Sequence, residues 1–115
     1  MANGRRGEVA LELGGRRYTL CLTLGALAEL EDAFGVQDLT ALAERFGSGR
    51  LSSRDLVAIL AAALRGGGHA MTDAEVVELP LHDGIAPVAQ AIADLLIVTF
   101  GGKVLPENPR SPQEA

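Results

Sequence analysis

A pair of glycines near the N-terminus separates two short segments of alternating polarity. Apolar residues occupy alternate positions from Val9 to Leu13, Gly14-Gly15 follows, and β-prone residues continue from Arg17 to Leu22. Two consecutive glycines tolerate the positive φ angles that a two-residue hairpin turn requires. The pattern therefore predicts an antiparallel hairpin. The length of its turn determines which side chains share the face that can pack on the rest of the chain.

The register of this hairpin follows from the length of its turn. Counting outward from Gly14-Gly15 places Leu11 opposite Tyr18 on one face and Glu12 beside Arg17 on the other. One register thus creates both apolar pairs and a pair of opposite charges, which supports the assignment. The predicted apolar face comprises Val9, Leu11, Tyr18 and Leu20.

After the hairpin, the apolar spacing becomes helical. The residues that can start a helix are Thr23, Asp38, Ser52 or Ser53, Thr72, and Asp83 or Gly84. The predicted helices end near Phe34-Gly35, Gly47, Gly66-Gly-Gly68, Leu79 and Gly101. This order predicts an α+β fold, mainly α, in which the hairpin precedes four to five helices in a small bundle. We expect one domain over residues 7–102, a flexible segment 1–6 and a disordered tail 103–115.

Two of these helices carry strong apolar stripes. The third has Leu56, Val57, Leu60, Ala63 and Leu64 at helical spacing. The predicted buried side of the last helix comprises Ile85, Val88, Ala89, Ile92, Leu96 and Phe100. Ile97 and Val98 fall toward its opposite side, so the end of this helix is apolar nearly all round. Either neighbouring elements or a partner should cover it.

Composition and charge exclude several functional classes. Net charge is −5, of which the first 17 residues contribute +2 and the remainder −7. An acidic body is repelled by a phosphate backbone, so nucleic-acid binding is disfavoured. No apolar run has the length of a membrane span, and no secretory signal is apparent. A single cysteine, Cys21, fits a reducing compartment. We expect a soluble, cytoplasmic protein.

The residues that could carry chemistry do not form a recognisable motif. The candidate ligands for a metal site are His69, His82, Asp73, Glu75, Glu78 and Asp83. Their spacing matches no known ligand pattern, and the acidic residues are better explained as first-turn residues of helices, near the positive end of the helix dipole. Gly66-Gly-Gly68 lacks the residues of a phosphate loop and is better explained as a helix end. Cys21 has no local base. We expect no enzyme activity, metal or cofactor, and a role in binding another protein.

The order of the segments carries a resemblance to a known family. The segments are Leu22-Thr-Leu-Gly-Ala-Leu-Ala-Glu-Leu-Glu31, Phe34-Gly35, Ser53-Arg-Asp-Leu56, Leu64-Arg-Gly-Gly-Gly-His69, Thr72-Asp-Ala-Glu-Val76 and Phe100-Gly101. Over residues 7 to 102 this succession resembles the small tail protein of gene transfer agents, the phage-like particles of alphaproteobacteria. That family is grouped with phage tail assembly chaperones and has also been labelled a tail tube protein.

The resemblance implies a non-enzymatic assembly factor. Such a chaperone binds the tape measure protein, keeps its apolar helices soluble and helps recruit tail tube subunits; self-association is a further expectation. It would be cytoplasmic or associated with the particle. The alternative is a structural tube component, although tube subunits usually need more strand than one hairpin provides.

Two sets of residues are candidates for binding a partner. A groove between the third and last helices could have Leu60, Leu64, Leu96 and Phe100 as its floor, with Ile97 and Val98 beside it. Glu29, Glu31 and Asp32 could contact a basic partner. The alternatives are that the apolar residues belong to the core and that the acids form a solvated face.

Overall fold

The chain folds as a hairpin followed by five helices. The computed structural model describes residues 7–101, and the predicted segments 1–6 and 103–115 lie outside them. Its elements are β1 (Glu8–Leu13), β2 (Arg16–Cys21), α1 (Leu24–Phe34), α2 (Leu39–Gly47), α3 (Ser53–Gly66), α4 (Asp73–Val77) and α5 (Ala86–Phe100). The predicted class, α+β and mainly α, is confirmed.

The hairpin has the predicted register. Leu11 pairs with Tyr18 and Glu12 with Arg17, and Gly14 and Gly15 have φ angles of 57° and 79°. Positive φ at both positions is typical of a type I′ turn, whose twist matches that of the strands. The apolar face packs on the helices, with β2 against α3 and β1 against α5.

Side-chain caps begin four of the helices, as predicted. The side chains of Thr23, Asp38, Ser52 and Thr72 each accept a hydrogen bond from a main-chain N–H in the first turn. The predicted end of α4 at Leu79 and start of α5 at Asp83 or Gly84 are wrong. A turn with Gly84 at φ 81° separates the two helices, and α5 has no side-chain cap.

The core is built from aliphatic side chains around one buried phenylalanine. Phe46 is 1% exposed, and its ring lies edge-on to Phe34 and Phe100 at centroid distances of 5.2 and 6.1 Å. Two residues predicted to be buried on α5 are not: Ile85 is 52% exposed, and Ala89 is also exposed. The late start of α5 explains Ile85, since this residue lies outside the regular helix.

The C-terminus of α3 lies against the outer edge of β2. A Cβ atom at Gly66 would lie 2.1 Å from the carbonyl oxygen of Cys21, and one at Gly67 would lie 1.9 Å from that of Thr19. The main-chain N–H of Thr19 donates to Nε2 of His69 at 3.0 Å. Only glycine permits so close an approach of two main chains. The three-glycine segment therefore both ends α3 and holds it against the hairpin.

Asp55 gives α3 a pH-dependent contribution to stability. Its carboxylate accepts from the Ser52 N–H at 3.0 Å and from Arg45 at 2.9 Å. These contacts, the Ser52 bond foremost, lower the pKa of Asp55 from its ordinary value of 3.8. A lowered pKa stabilises the fold above the unfolded-state pKa, and that contribution is lost as the pH falls through the folded-state pKa.

We therefore expect Asp55→Ala to lower the free energy of unfolding by about 1 kcal/mol at neutral pH. The difference from the parent should begin to shrink below about pH 4, where the unfolded chain's carboxyl binds a proton, and should be lost as the pH falls through the lower folded-state pKa. Urea titrations across this pH range measure it. Asp83→Ala, at an exposed position in the loop before α5, is the matched control. A difference that is constant with pH would contradict the assignment.

Candidate protein-binding groove

Two apolar hollows lie along α3 and α5. Their volumes are about 110 and 240 Å³, and they share Leu56 on α3. The first is lined by Leu13, Ser53, Leu56, Val57, Leu60, Val76, Val77, Leu79, Leu81, Ile85 and Val88. The second is lined by Phe46, Gly49, Leu51, Leu56, Ala89, Ile92, Ala93 and Leu96. Together they form what we call the α3–α5 groove.

The lining of the groove spans a considerable length of the chain before and within α5. Along α5 and the residue before it, the lining extends from Ile85 to Leu96, a rise of about 16 Å at 1.5 Å per residue. This length accommodates about three helical turns. Ala89 and Ala93 form one wall, and small side chains there allow a second helix to approach closely.

One rim of the groove exposes large apolar side chains. Val77, Leu81 and Ile85 are 60%, 48% and 52% exposed, and all three line the first hollow. Several such residues beside one another, rather than scattered singly, are typical of an interaction surface. The rim is therefore a candidate interaction surface.

The structure separates the predicted floor residues into two kinds. Leu60 and Leu96 line the groove and are 6% and 1% exposed, as residues of a floor are. Leu64 is fully buried in the core and lines neither hollow. Phe100 is half-buried and packs against Phe46.

The apolar end of α5 lies beside the groove. Ile97 and Val98 are 41% and 39% exposed and line neither of its hollows. By helical spacing Ile97 lies on the side of the wall that Ala89 and Ala93 form, whereas Val98 lies about 100° further round the helix. The two residues therefore face different surroundings.

Sequence reasoning missed the rim of the groove. Val77, Leu79 and Leu81 come from α4 and the loop behind it, which were predicted only as a helix and its end. The available signal was Val76-Val77 in a very short helix, because neighbouring helical positions point about 100° apart and a short surface helix buries one face. Val76 is buried, and Val77 is exposed.

Two of the three predicted acidic residues, Glu29 and Asp32, line a separate hollow of about 460 Å³, together with Asp73, Arg65, Leu30, Ala33 and Ala58. Arg65 donates to Glu29 at 2.6 Å and to Asp73 at 3.1 Å. These bonds, that with Glu29 foremost, raise the pKa of Arg65. Glu31 is half-buried and does not line the hollow.

His69, one of the candidate metal ligands, has a structural role in the fold. Nε2 of His69 accepts the Thr19 N–H, and the ring of His69 lies edge-on to Tyr18 at 5.3 Å. Across residues 7–101 no three histidine, cysteine or acidic side chains are grouped as they would be to hold a metal ion. Over the same range, no helix is long and apolar enough to cross a membrane.

A comparison with known protein families identifies the family of this chain. The model of a protein family described as "Phage tail tube protein, GTA-gp10" matches residues 6–102. The chain belongs to this family. No curated protein and no solved structure gives a significant match. The predicted relationship to the gene transfer agent tail proteins is confirmed, and the protein has a structural role in the tail of a phage-like particle.

Proposed function

We propose that this tail protein acts as an assembly chaperone whose α3–α5 groove binds apolar helical faces of the tape measure protein. By covering these faces in the cytoplasm, it keeps the tape measure protein soluble and helps recruit tail tube subunits around it. The groove carries the proposal, because it is long enough for about three helical turns and its rim consists of exposed apolar side chains.

The mode of binding follows from the shape of the ligand. A tape measure protein is a long chain with many apolar helical segments, so many copies of the chaperone could occupy it side by side. Weak contacts repeated along one ligand give high overall affinity without a tight single site. Self-association of neighbouring copies would strengthen this further.

The acidic hollow offers a second contact for the same ligand. Glu29, Asp32 and Asp73 line this hollow together with one guanidinium, that of Arg65, so negative charge predominates there. Basic side chains that flank an apolar helical face would be attracted to it, with Glu31 adding to the field. Affinity for the tape measure protein should therefore fall as salt concentration rises.

A tail tube subunit is the alternative, and the family description favours it. The described residues contain one two-stranded sheet, whereas closing a tube from β-strands requires more strand from each subunit. This difference supports the chaperone over the tube subunit. Mass spectrometry of purified particles distinguishes the two, since a tube subunit would be abundant in them.

The decisive experiment is co-purification with the tape measure protein from cells that make particles. Ile85→Asp and Ala93→Asp each place a charge at the groove, and we expect at least a tenfold loss of captured tape measure protein. Leu24→Asp is the matched control, because Leu24 is 81% exposed and lines neither hollow of the groove. Circular dichroism checks that all three variants fold.

Each result has a defined meaning. Undiminished capture by both groove variants would remove the groove from the proposal. Equal loss with Leu24→Asp would show a general effect of added charge. Absence of the tape measure protein from every pulldown, together with abundant protein in finished particles, would establish the tube subunit instead.

A further inference from the structure

Two exposed arginines have side chains that no group of the protein engages. Across residues 7–101, Arg50 and Arg54 form no ion pair and no side-chain hydrogen bond, and neither lies over an aromatic ring. The other arginines of this range bind a carboxylate or lie over a ring: Arg16, Arg17, Arg45 and Arg65. The two unengaged guanidiniums are therefore available to a partner.

Both of these arginines lie beside the α3–α5 groove. Arg54 lines a hollow of about 400 Å³. The three other residues that line it also line the first hollow of the groove: Ser53, Val57 and Val77. Arg50 stands between Gly49 and Leu51, and both of these residues line the second hollow. Positive charge therefore accompanies the apolar lining at the start of α3.

Acidic side chains around the groove do not neutralise this charge. Asp55 is next to Arg54 in the chain, but its carboxylate is bound by Arg45 at 2.9 Å. Glu78, at the end of α4, makes no ion pair with either arginine within residues 7–101. On the opposite wall, α5 has a single charged residue, Asp94. The two sides of the groove therefore differ in charge.

We propose that the groove selects apolar helical segments whose flank toward the start of α3 is acidic. This inference rests on the proposed function, in which the groove binds apolar helical faces, and it states which of those faces bind best. Polar positions border the apolar face of an amphipathic helix on both sides. Carboxylates on one side would lie near Arg50 and Arg54 while the apolar face covers the hollows. Such charge complementarity at a rim contributes mainly to selectivity and to the rate of association.

The difference between the two walls also gives the bound helix a direction. Turning the helix end for end moves its acidic flank from the two arginines to α5, where Asp94 is the only charged residue. A segment with one acidic flank should therefore bind in one direction. Copies of the protein on successive segments of this kind would then all point the same way along the ligand.

The probes are three blocked synthetic peptides of about five helical turns, with the same apolar face of leucine and alanine. One flank carries glutamate, lysine or glutamine, and the other flank carries glutamine in all three. At low salt, the glutamate peptide should bind about fivefold more tightly than the glutamine peptide, and the lysine peptide more weakly than either. The protein has a net charge of −5. Its overall field favours the lysine peptide, so the expected order requires the local arginines.

Charge reversal tests the assignment to Arg54. Arg54→Glu should lower the affinity for the glutamate peptide by about fivefold or more and raise the affinity for the lysine peptide. Arg17→Glu is the matched control, because it changes the net charge equally and Arg17 lines neither the groove nor the hollow of Arg54. A nitroxide at one end of the glutamate peptide should broaden amide signals near Leu81 or near Gly49, but not both.

The outcomes separate this inference from the proposed function. Tightest binding of the lysine peptide, an order that Arg54→Glu leaves unchanged, or an equal change with Arg17→Glu would overturn the charge preference while the groove stands. Broadening at both ends would overturn the direction of binding. Ile85→Asp should weaken all three peptides. Failure of every peptide to bind, or binding that Ile85→Asp does not weaken, would overturn both the groove and the preference.

Discussion

Gly67→Ala should cost about 3 kcal/mol or more of the free energy of unfolding. The added Cβ atom would lie 1.9 Å from the Thr19 carbonyl oxygen and 2.7 Å from its carbon. Neither atom belongs to a flexible side chain, so α3 or β2 must move as a whole. That movement also lengthens the 3.0 Å bond from Thr19 to His69. Urea denaturation followed by circular dichroism measures the loss.

Gly25→Ala provides the control for this prediction. Gly25 lies in the first turn of α1, and a Cβ atom there would meet only the Thr23 hydroxyl, at 3.8 Å. Alanine is favoured over glycine in a helix by about 0.5–1 kcal/mol, so this variant should be as stable as the parent or more so. A stable Gly67→Ala variant would show that α3 and β2 do not approach as closely as described.

The hairpin and the helix starts could be predicted because their determinants are local. A two-residue turn admits one register that pairs apolar with apolar and Glu12 with Arg17. Ser52 and Thr72 sit three residues before a carboxylate, and both make the reciprocal bonds of a capping box. Each signal lies within a few residues of the structure it specifies.

The contact between α3 and β2 could not be predicted, because its partners lie far apart in the chain. The sequence predicts that Gly66-Gly-Gly68 ends a helix, and it does. The glycines are consecutive because the edge of β2 lies against them. Thr19 and His69 are 50 positions apart. The residue pattern within either segment therefore does not predict that Thr19 and His69 are in contact.

The partner-binding groove between α3 and α5 stays a prediction, and the hollows along these helices have a different lining from the one expected. Helical spacing identified Leu60 and Leu96, which line it. The same spacing could not distinguish them from Leu64, because a groove floor and a core present the same apolar stripe. The exposed rim depends on how α4 and its loop fold back, which is a long-range property.

Phe46→Ala should destabilise the fold by about 3–5 kcal/mol, the loss expected when a buried phenylalanine is truncated. Phe46 is 1% exposed and lies between two other rings, Phe34 and Phe100. Truncating its side chain therefore leaves a cavity between α1, α2 and α5. For a domain of this size, a loss of this order is a large part of the total stability.

The same substitution links the core to the groove, because Phe46 also lines its second hollow. We expect Phe46→Leu to lose less than Phe46→Ala, since leucine fills most of the space. Phe34→Ala should also lose less stability than Phe46→Ala, because Phe34 is only half-buried. Thermal and urea unfolding of the three variants gives the ranking. A Phe46→Ala variant whose free energy of unfolding falls by less than about 1 kcal/mol would mean that α2 is not packed into the core. Phe46 would then not line the second hollow of the groove.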